Sequence, residues 1–164
     1  MRRATQVCAR PRGYTLVELL VVLAVLGLLS AMAMPLAEIT VQREKERELK
    51  RALWEIRDAI DAYRRARESG AIAGSVGVSL YPPTLEALTR LVPDARREHQ
   101  GEELRFLRRI ARDPFADPGL PPQQSWGLRS YQSESDHPRA GADVYDVFSL
   151  SDGTGLNGIP LKAW

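Results

Sequence analysis

From Leu19 to Ala37 the chain runs for nineteen residues without a charge, and directly ahead of that run stands a single carboxylate, Glu18. At ~1.5 Å per residue such a run makes a helix of roughly 28 Å, about the thickness of a bilayer's hydrocarbon core. A carboxylate near the end of an apolar helix costs on the order of 2–3 kcal/mol unless something positive meets it. Glu18 therefore predicts a partner. Upstream lie Arg2, Arg3, Arg10 and Arg12 with no acid among them, and basic residues before an apolar span hold that end in the cytoplasm. The expected topology is a single pass with the amino terminus inside and the bulk of the chain outside.

The order Gly13-Tyr14-Thr15-Leu16-Val17-Glu18, followed by the apolar run with Gly27 and Pro35 inside it, resembles the class III signal of type IV pilins and pseudopilins. The resemblance implies cleavage by a prepilin peptidase between Gly13 and Tyr14, methylation of the new amino terminus at Tyr14, and assembly through Thr15, Glu18 and Pro35. In that family the acid pairs with the amino terminus of a neighbouring subunit, which would answer the need Glu18 creates. Two blander readings compete. Ala31-Met32-Ala33 is an Ala-x-Ala after an apolar run, as in secretory cleavage, but this leaves Glu18 without a role. A plain uncleaved anchor does not need the Gly13/Glu18 arrangement.

Composition narrows the partners. Of 23 basic residues four lie in the leader, which leaves 19 against 21 acids and a processed chain near −2. A bulk nucleic-acid binder is not indicated. Cys8, the sole cysteine, also lies in the leader, so the processed chain would have no disulfide although its head would face an oxidising compartment.

Four regions are expected: a leader over 1–13, a transmembrane or filament-core helix over 14–37, an amphipathic helix over 38–69, and an α+β head over 70–164. The second helix rests on Leu49, Leu53, Ile56, Ile60 and Tyr63 recurring at spacings of three and four, with Ala52, Ala59 and Ala66 on the same face. Glu46 with Lys50 and Asp61 with Arg65 are i,i+4 pairs, and Pro35 predicts a kink or local melting. Gly70 to Gly77 reads as a flexible connector. Thr84 is the expected N-cap of a short helix over Leu85 to Leu91, and Glu102 to Ala111 a further helix or turn. Four prolines exclude regular structure over Asp113 to Pro122. Ser125–Gln132 and Asp143–Leu150 are the strand candidates, forming a hairpin over a long loop.

The head resembles the G-type major pseudopilin of type II secretion through Tyr81-Pro82, through Leu107-Arg108-Arg109-Ile110-x-Arg112-Asp113-Pro114, and through Tyr145 to Gly153. The resemblance implies a pilin-like α+β fold, a long helix packed on a small antiparallel sheet. It also implies a calcium-binding loop near Ser149, for which Ser151, Asp152 and Asn157 are the candidate ligands. The usual second aspartate is missing, so a turn held by Asp and Asn side chains alone stays open beside it.

Catalysis has little to stand on. His99 and His137 lie in polar loop sequence without a neighbouring nucleophile or zinc-type spacing, and no enzyme is expected. Arg96, Arg97, Arg105, Arg108, Arg109 and Arg112 form a basic cluster, but Glu98, Glu102 and Glu103 are interspersed and Phe106 is its sole aromatic. That composition favours a solvated or inter-subunit face over DNA. The expected function is a pseudopilin that polymerises with itself and other pseudopilins into a periplasmic filament. Its further partners would be an inner-membrane assembly platform and a secretin. A type IV pilus or competence pilin shares the anchor and is the alternative, with a monomeric bitopic protein third.

Overall fold

The computed structural model describes residues 13–74, 78–99 and 101–164, the side chains of 31–36 excepted. Packing divides the chain into two units, Met1–Val41 and Gln42–Trp164.

One helix, α1 (Leu16–Glu68), accounts for both predicted helices. Its assignment is unbroken, so the local melting expected at Pro35 is not seen, and the side chain of that proline lies outside the described residues. At its carboxyl end the N–H of Ser69 bonds the carbonyl of Arg65 at 2.9 Å, and Gly70 follows at φ 75°. A glycine takes that left-handed conformation without a Cβ penalty, which is why the helix stops there. In the first unit every residue from Gly13 to Ser30 is exposed. Among the described residues no helix is long and apolar enough to cross a membrane.

The second unit is built around the predicted stripe. Leu49, Ala52, Leu53, Ile56, Ala59 and Ile60 are buried, with Tyr63 packed beside them. They meet Leu85, Leu88, Leu107, Trp126, Val144, Val147 and Leu161 in one core. Each fully buried Leu or Ile contributes about 1.5–3 kcal/mol.

The head has two separate two-stranded antiparallel sheets where a single small sheet was expected. β1 (Val92–Pro93) pairs with β2 (Glu103–Leu104). β3 (Trp126–Arg129) pairs with β4 (Asp146–Ser149), in register Trp126 with Ser149 and Arg129 with Asp146. The second pair lies inside the predicted strand candidates. Opposite Phe148 stands Gly127, where an added Cβ would come within 2.4 Å of the phenylalanine ring. The ring covers the space a side chain would take, so a larger residue at 127 would have to displace the Phe148 ring.

Several local expectations are corrected. Glu102–Ala111 forms β2 and an irregular segment, because its apolar residues serve the core singly. The helix expected over Leu85 to Leu91 is a 3-10 turn, Leu85–Leu88, and Thr84 precedes it in extended conformation without a side-chain cap bond. The connector after Gly70 is anchored at its start. Ala71 and Ile72 are buried, Ile72 N–H bonds Ala66 O at 3.1 Å and Ala95 N–H bonds Ala71 O at 2.9 Å. Residues 75–77 lie outside the description.

The charged pairs also differ. Buried Glu46 accepts from the N–H of Leu156 at 2.7 Å and from the Gln42 side chain at 3.1 Å, tying the helix to the last loop. Lys50 lies over the Trp164 ring at 4.4 Å. Arg65 comes within 4.0 Å of Asp58, one turn further back than the Asp61 expected.

Candidate functional site

The amino-terminal motif is set by a helix start. Thr15 immediately precedes α1, and its Oγ1 accepts the N–H of Glu18 at 3.2 Å. Thr15-x-x-Glu18 thus occupies the positions of a capping box, of which this one bond is formed. The carboxylate of Glu18 has no hydrogen-bond or ion-pair partner among the described residues, and it stands exposed in the first turn, where a negative charge opposes the helix dipole favourably. Gly13 has open space around it: a Cβ there would meet nothing within 4 Å. Tyr14 is 79% exposed. The Gly13–Tyr14 bond is therefore accessible, the Thr15 hydroxyl caps the helix, and Glu18, four residues after Tyr14, has no partner among the described residues. Cys8, the leader arginines and the Ala31-Met32-Ala33 side chains lie outside the described residues, as does the side chain of Pro35.

The loop proposed for calcium is occupied with its own bonds. Ser149 Oγ, fully buried, donates to Asp113 Oδ2 at 2.5 Å and accepts the N–H of Ser151 at 3.1 Å. Ser151 Oγ accepts the N–H of Gly153 at 3.2 Å, and Asn157 Oδ1 accepts the N–H of Ile159 at 3.0 Å. Asp152 has a 95% exposed side chain whose ion-pair partner is Lys162, at 3.5 Å. Ser151, Asp152 and Asn157 offer one carboxylate between them, and it faces a cation. That donor set does not fit a hard divalent ion, which asks for several converging oxygens.

A second acidic constellation was not expected from sequence. Asp94, His99 and Glu102 bring ligand atoms within 4.8 Å of one another. All three already have partners. Arg96 donates to both oxygens of Asp94, from Nη2 at 2.5 Å and from Nε at 3.0 Å, and holds that carboxyl down at about 2. His99 Nδ1 lies 3.0 Å from Glu102 Oε2. The cluster closes the β1–β2 connection. Arg112 likewise turns inward, donating to the carbonyls of Asp117 and Leu120. Of the basic cluster, Arg97, Arg105, Arg108 and Arg109 remain exposed. His137 is exposed too, and its carbonyl accepts from Ser133 Oγ at 3.2 Å.

Buried Asp143 is the other polar residue that sequence reading passed over. It accepts from Ser79 Oγ, from Ser130 Oγ at 2.6 Å and from Tyr131 N–H at 2.9 Å. Burial pushes its carboxyl up, and these three donors more than offset it, so the net shift is downward. Asp-Val-Tyr-Asp at residues 143–146 reads as alternating strand sequence, which hid the tie.

Residues 8–34 match the family model described as the prokaryotic N-terminal methylation motif. No curated protein and no solved structure matches the chain. The match covers Gly13, Tyr14, Glu18 and most of the apolar run, with only residues 8–12 of the segment before Gly13, so it includes the accessible Gly13–Tyr14 bond and the acid that has no partner among the described residues. The chain carries the methylation motif typical of type IV pilin-like proteins and pseudopilins, and that motif supports its processing as a prepilin-peptidase substrate.

Proposed function

We propose that this protein is a structural pseudopilin. It is inserted in the bacterial inner membrane with its head in the periplasm, cleaved after Gly13, methylated at Tyr14, and polymerised into a pseudopilus that drives type II secretion. The observation that carries the reading is the bare apolar helix: from Tyr14 to Ser30 every side chain is exposed. A helix apolar all round must be covered by lipid or by protein. Lipid before assembly and neighbouring subunits after it satisfy both the helix and Glu18, and head-to-tail contacts that do not close generate a fibre. Absence of cysteine after the leader and the head motifs at 107–114 and 145–153 support the secretion branch over a pilus or competence pilin. The subunit has no reaction of its own and binds no nucleic acid in this reading.

Processing gives the direct test. Intact mass of membrane-extracted protein is expected to correspond to a chain beginning at Tyr14 plus one methyl group. A chain beginning at Met34 would replace this reading with secretory cleavage, and an intact leader would leave a plain anchor.

The 149–157 loop is read as a turn held by its own side chains. Melting of the full chain in detergent is accordingly expected to be the same in calcium and in chelator. A ligand that binds only the folded state raises its melting temperature, so a calcium-dependent rise would restore the metal site.

A further inference from the structure

The last loop of the second unit closes on itself. Gly155 N–H bonds Ile159 O at 2.9 Å, and Gly158 N–H returns to Gly155 O at 2.9 Å with Gly158 at φ 78°. Asn157 Oδ1 accepts the N–H of Ile159 at 3.0 Å. At the base Leu161 N–H bonds Gly153 O at 2.9 Å, and the Leu161 side chain is buried in the core. A loop bonded in this way has the means to bury its apolar residues. Its tip nevertheless turns two of them outward, Leu156 at 46% and Ile159 at 47% exposure.

The tip is fastened to one place on α1. Glu46 Oε1 accepts the N–H of Leu156 at 2.7 Å, and Gln42 Nε2 donates to Thr154 O at 3.3 Å. Gln42 and Glu46 belong to the first turns that α1 contributes to the second unit. Gln42 follows Ala37, the last residue of the apolar run, by five residues of the same helix. Five helical residues rise about 7.5 Å. The headgroup layer on each side of a hydrocarbon core is about 5–8 Å deep. When the apolar run is inserted, the chain's own connectivity therefore holds the attachment point of the loop at the bilayer surface.

We infer that Leu156 and Ile159 enter the headgroup region of the bilayer around the chain's own span. Apolar side chains gain by leaving water at that boundary. The backbone of the tip is suited to it, because the N–H groups of Gly155, Leu156, Gly158 and Ile159 are already bonded to the loop or to Glu46. Entering lipid thus strips none of these donors of a partner. Charge does not oppose the contact. The exposed charges on α1 over 43–48 are Arg43, Lys45 and Arg47 against Glu44 and Glu48, and on the loop side Asp152 faces Lys162. Lipid is the surface that every inserted copy meets at this point of its own chain, before a neighbouring subunit is present. The inference rests on the membrane reading above and adds a second point of contact, which orients the head on the bilayer before assembly.

The test uses the full chain with Cys8→Ala in phosphatidylcholine–phosphatidylglycerol vesicles. Leu156→Cys, Ile159→Cys, Leu91→Cys and Val25→Cys are made one at a time, and each cysteine carries an environment-sensitive fluorophore. Leu91 is exposed beside β1, on the segment that Ala95 joins to Ala71 beyond the carboxyl end of α1, and serves as the control away from the loop. Val25 reports on the apolar run. Labels at 156 and 159 should shift to the blue and lose most of their fluorescence to lipids carrying a nitroxide near the headgroup, while the label at 91 does neither. Leu156 and Ile159 are half-exposed, so melting temperatures equal to the parent's are expected, and either position alone suffices for the test. Quenching by lipid at 25 with none at 156 or 159 overturns this contact alone. A blue shift at 156 that no nitroxide lipid quenches, and that fades as protein is diluted at constant lipid, assigns the loop to a second copy and overturns the choice of lipid. Absence of quenching at 25 overturns the membrane reading and this contact with it.

Discussion

Replacing Glu18 with valine is expected to abolish fibre formation while leaving insertion and processing intact. The carboxylate makes no bond to its own chain among the described residues, and the helix start depends on Thr15 Oγ1 and the backbone N–H of residue 18, which valine keeps. The local cost is the lost charge–dipole term, about 0.3–1 kcal/mol. Insertion should be unchanged or improved, because removing a charge from the end of an apolar helix lowers the cost of placing it in lipid. Gly13 and Tyr14 are untouched, so cleavage persists. What disappears is the acid that, in the proposed filament, would meet the amino terminus of the next subunit. A membrane fraction containing processed Glu18→Val protein but no sheared filaments is the expected outcome. Normal fibre yield would show that the carboxylate does not register neighbouring subunits.

Arg57→Ala should give the largest loss of stability among the polar substitutions in the head, about 2–3 kcal/mol. The guanidinium sits at the centre of a three-way tie. Nε donates to Asp146 Oδ1 at 2.8 Å, and Nη2 donates to the carbonyls of Val147 at 3.1 Å and Trp164 at 2.8 Å. Asp146 Oδ1 in turn accepts the N–H of Val147 at 2.8 Å. Alanine leaves a half-buried carboxylate and two carbonyls short of donors, and it loosens β4 and the last residues from α1 together. The site is partly solvated, with side chains 35% and 29% exposed, which keeps the loss below that of a dry pair. Arg57→Lys should recover only part of the loss, since an ammonium cannot reproduce the planar fork. Denaturant unfolding of the full chain in detergent measures both variants. A loss under about 0.5 kcal/mol would place Arg57 with ordinary surface pairs.

What could be read from residue order were the features whose physics is local. The apolar run, the acid ahead of it and the basic leader specify the anchor motif, since charge and hydropathy act over consecutive residues. Leu49, Leu53, Ile56 and Ile60 gave the buried face because helical period is a property of spacing. Alternation near 126–129 and 146–149 located β3 and β4, and four prolines excluded regular structure before Pro122.

Tertiary structure alone decided the rest. Glu46 looked like half of an i,i+4 pair and became the anchor of the last loop, 110 residues away in sequence. Arg57 belongs to no pattern in the sequence, because its partners lie 89 to 107 residues downstream. Ala71 and Ile72 read as linker and are buried. Asp113, Asp143 and Ser149 are buried polar residues whose donors and acceptors come from other segments, so no local pattern announces them. In each case an unsatisfied polar or apolar group carries a cost that only a distant partner removes. Which partner arrives is settled by how the loops close over the core stripe of α1.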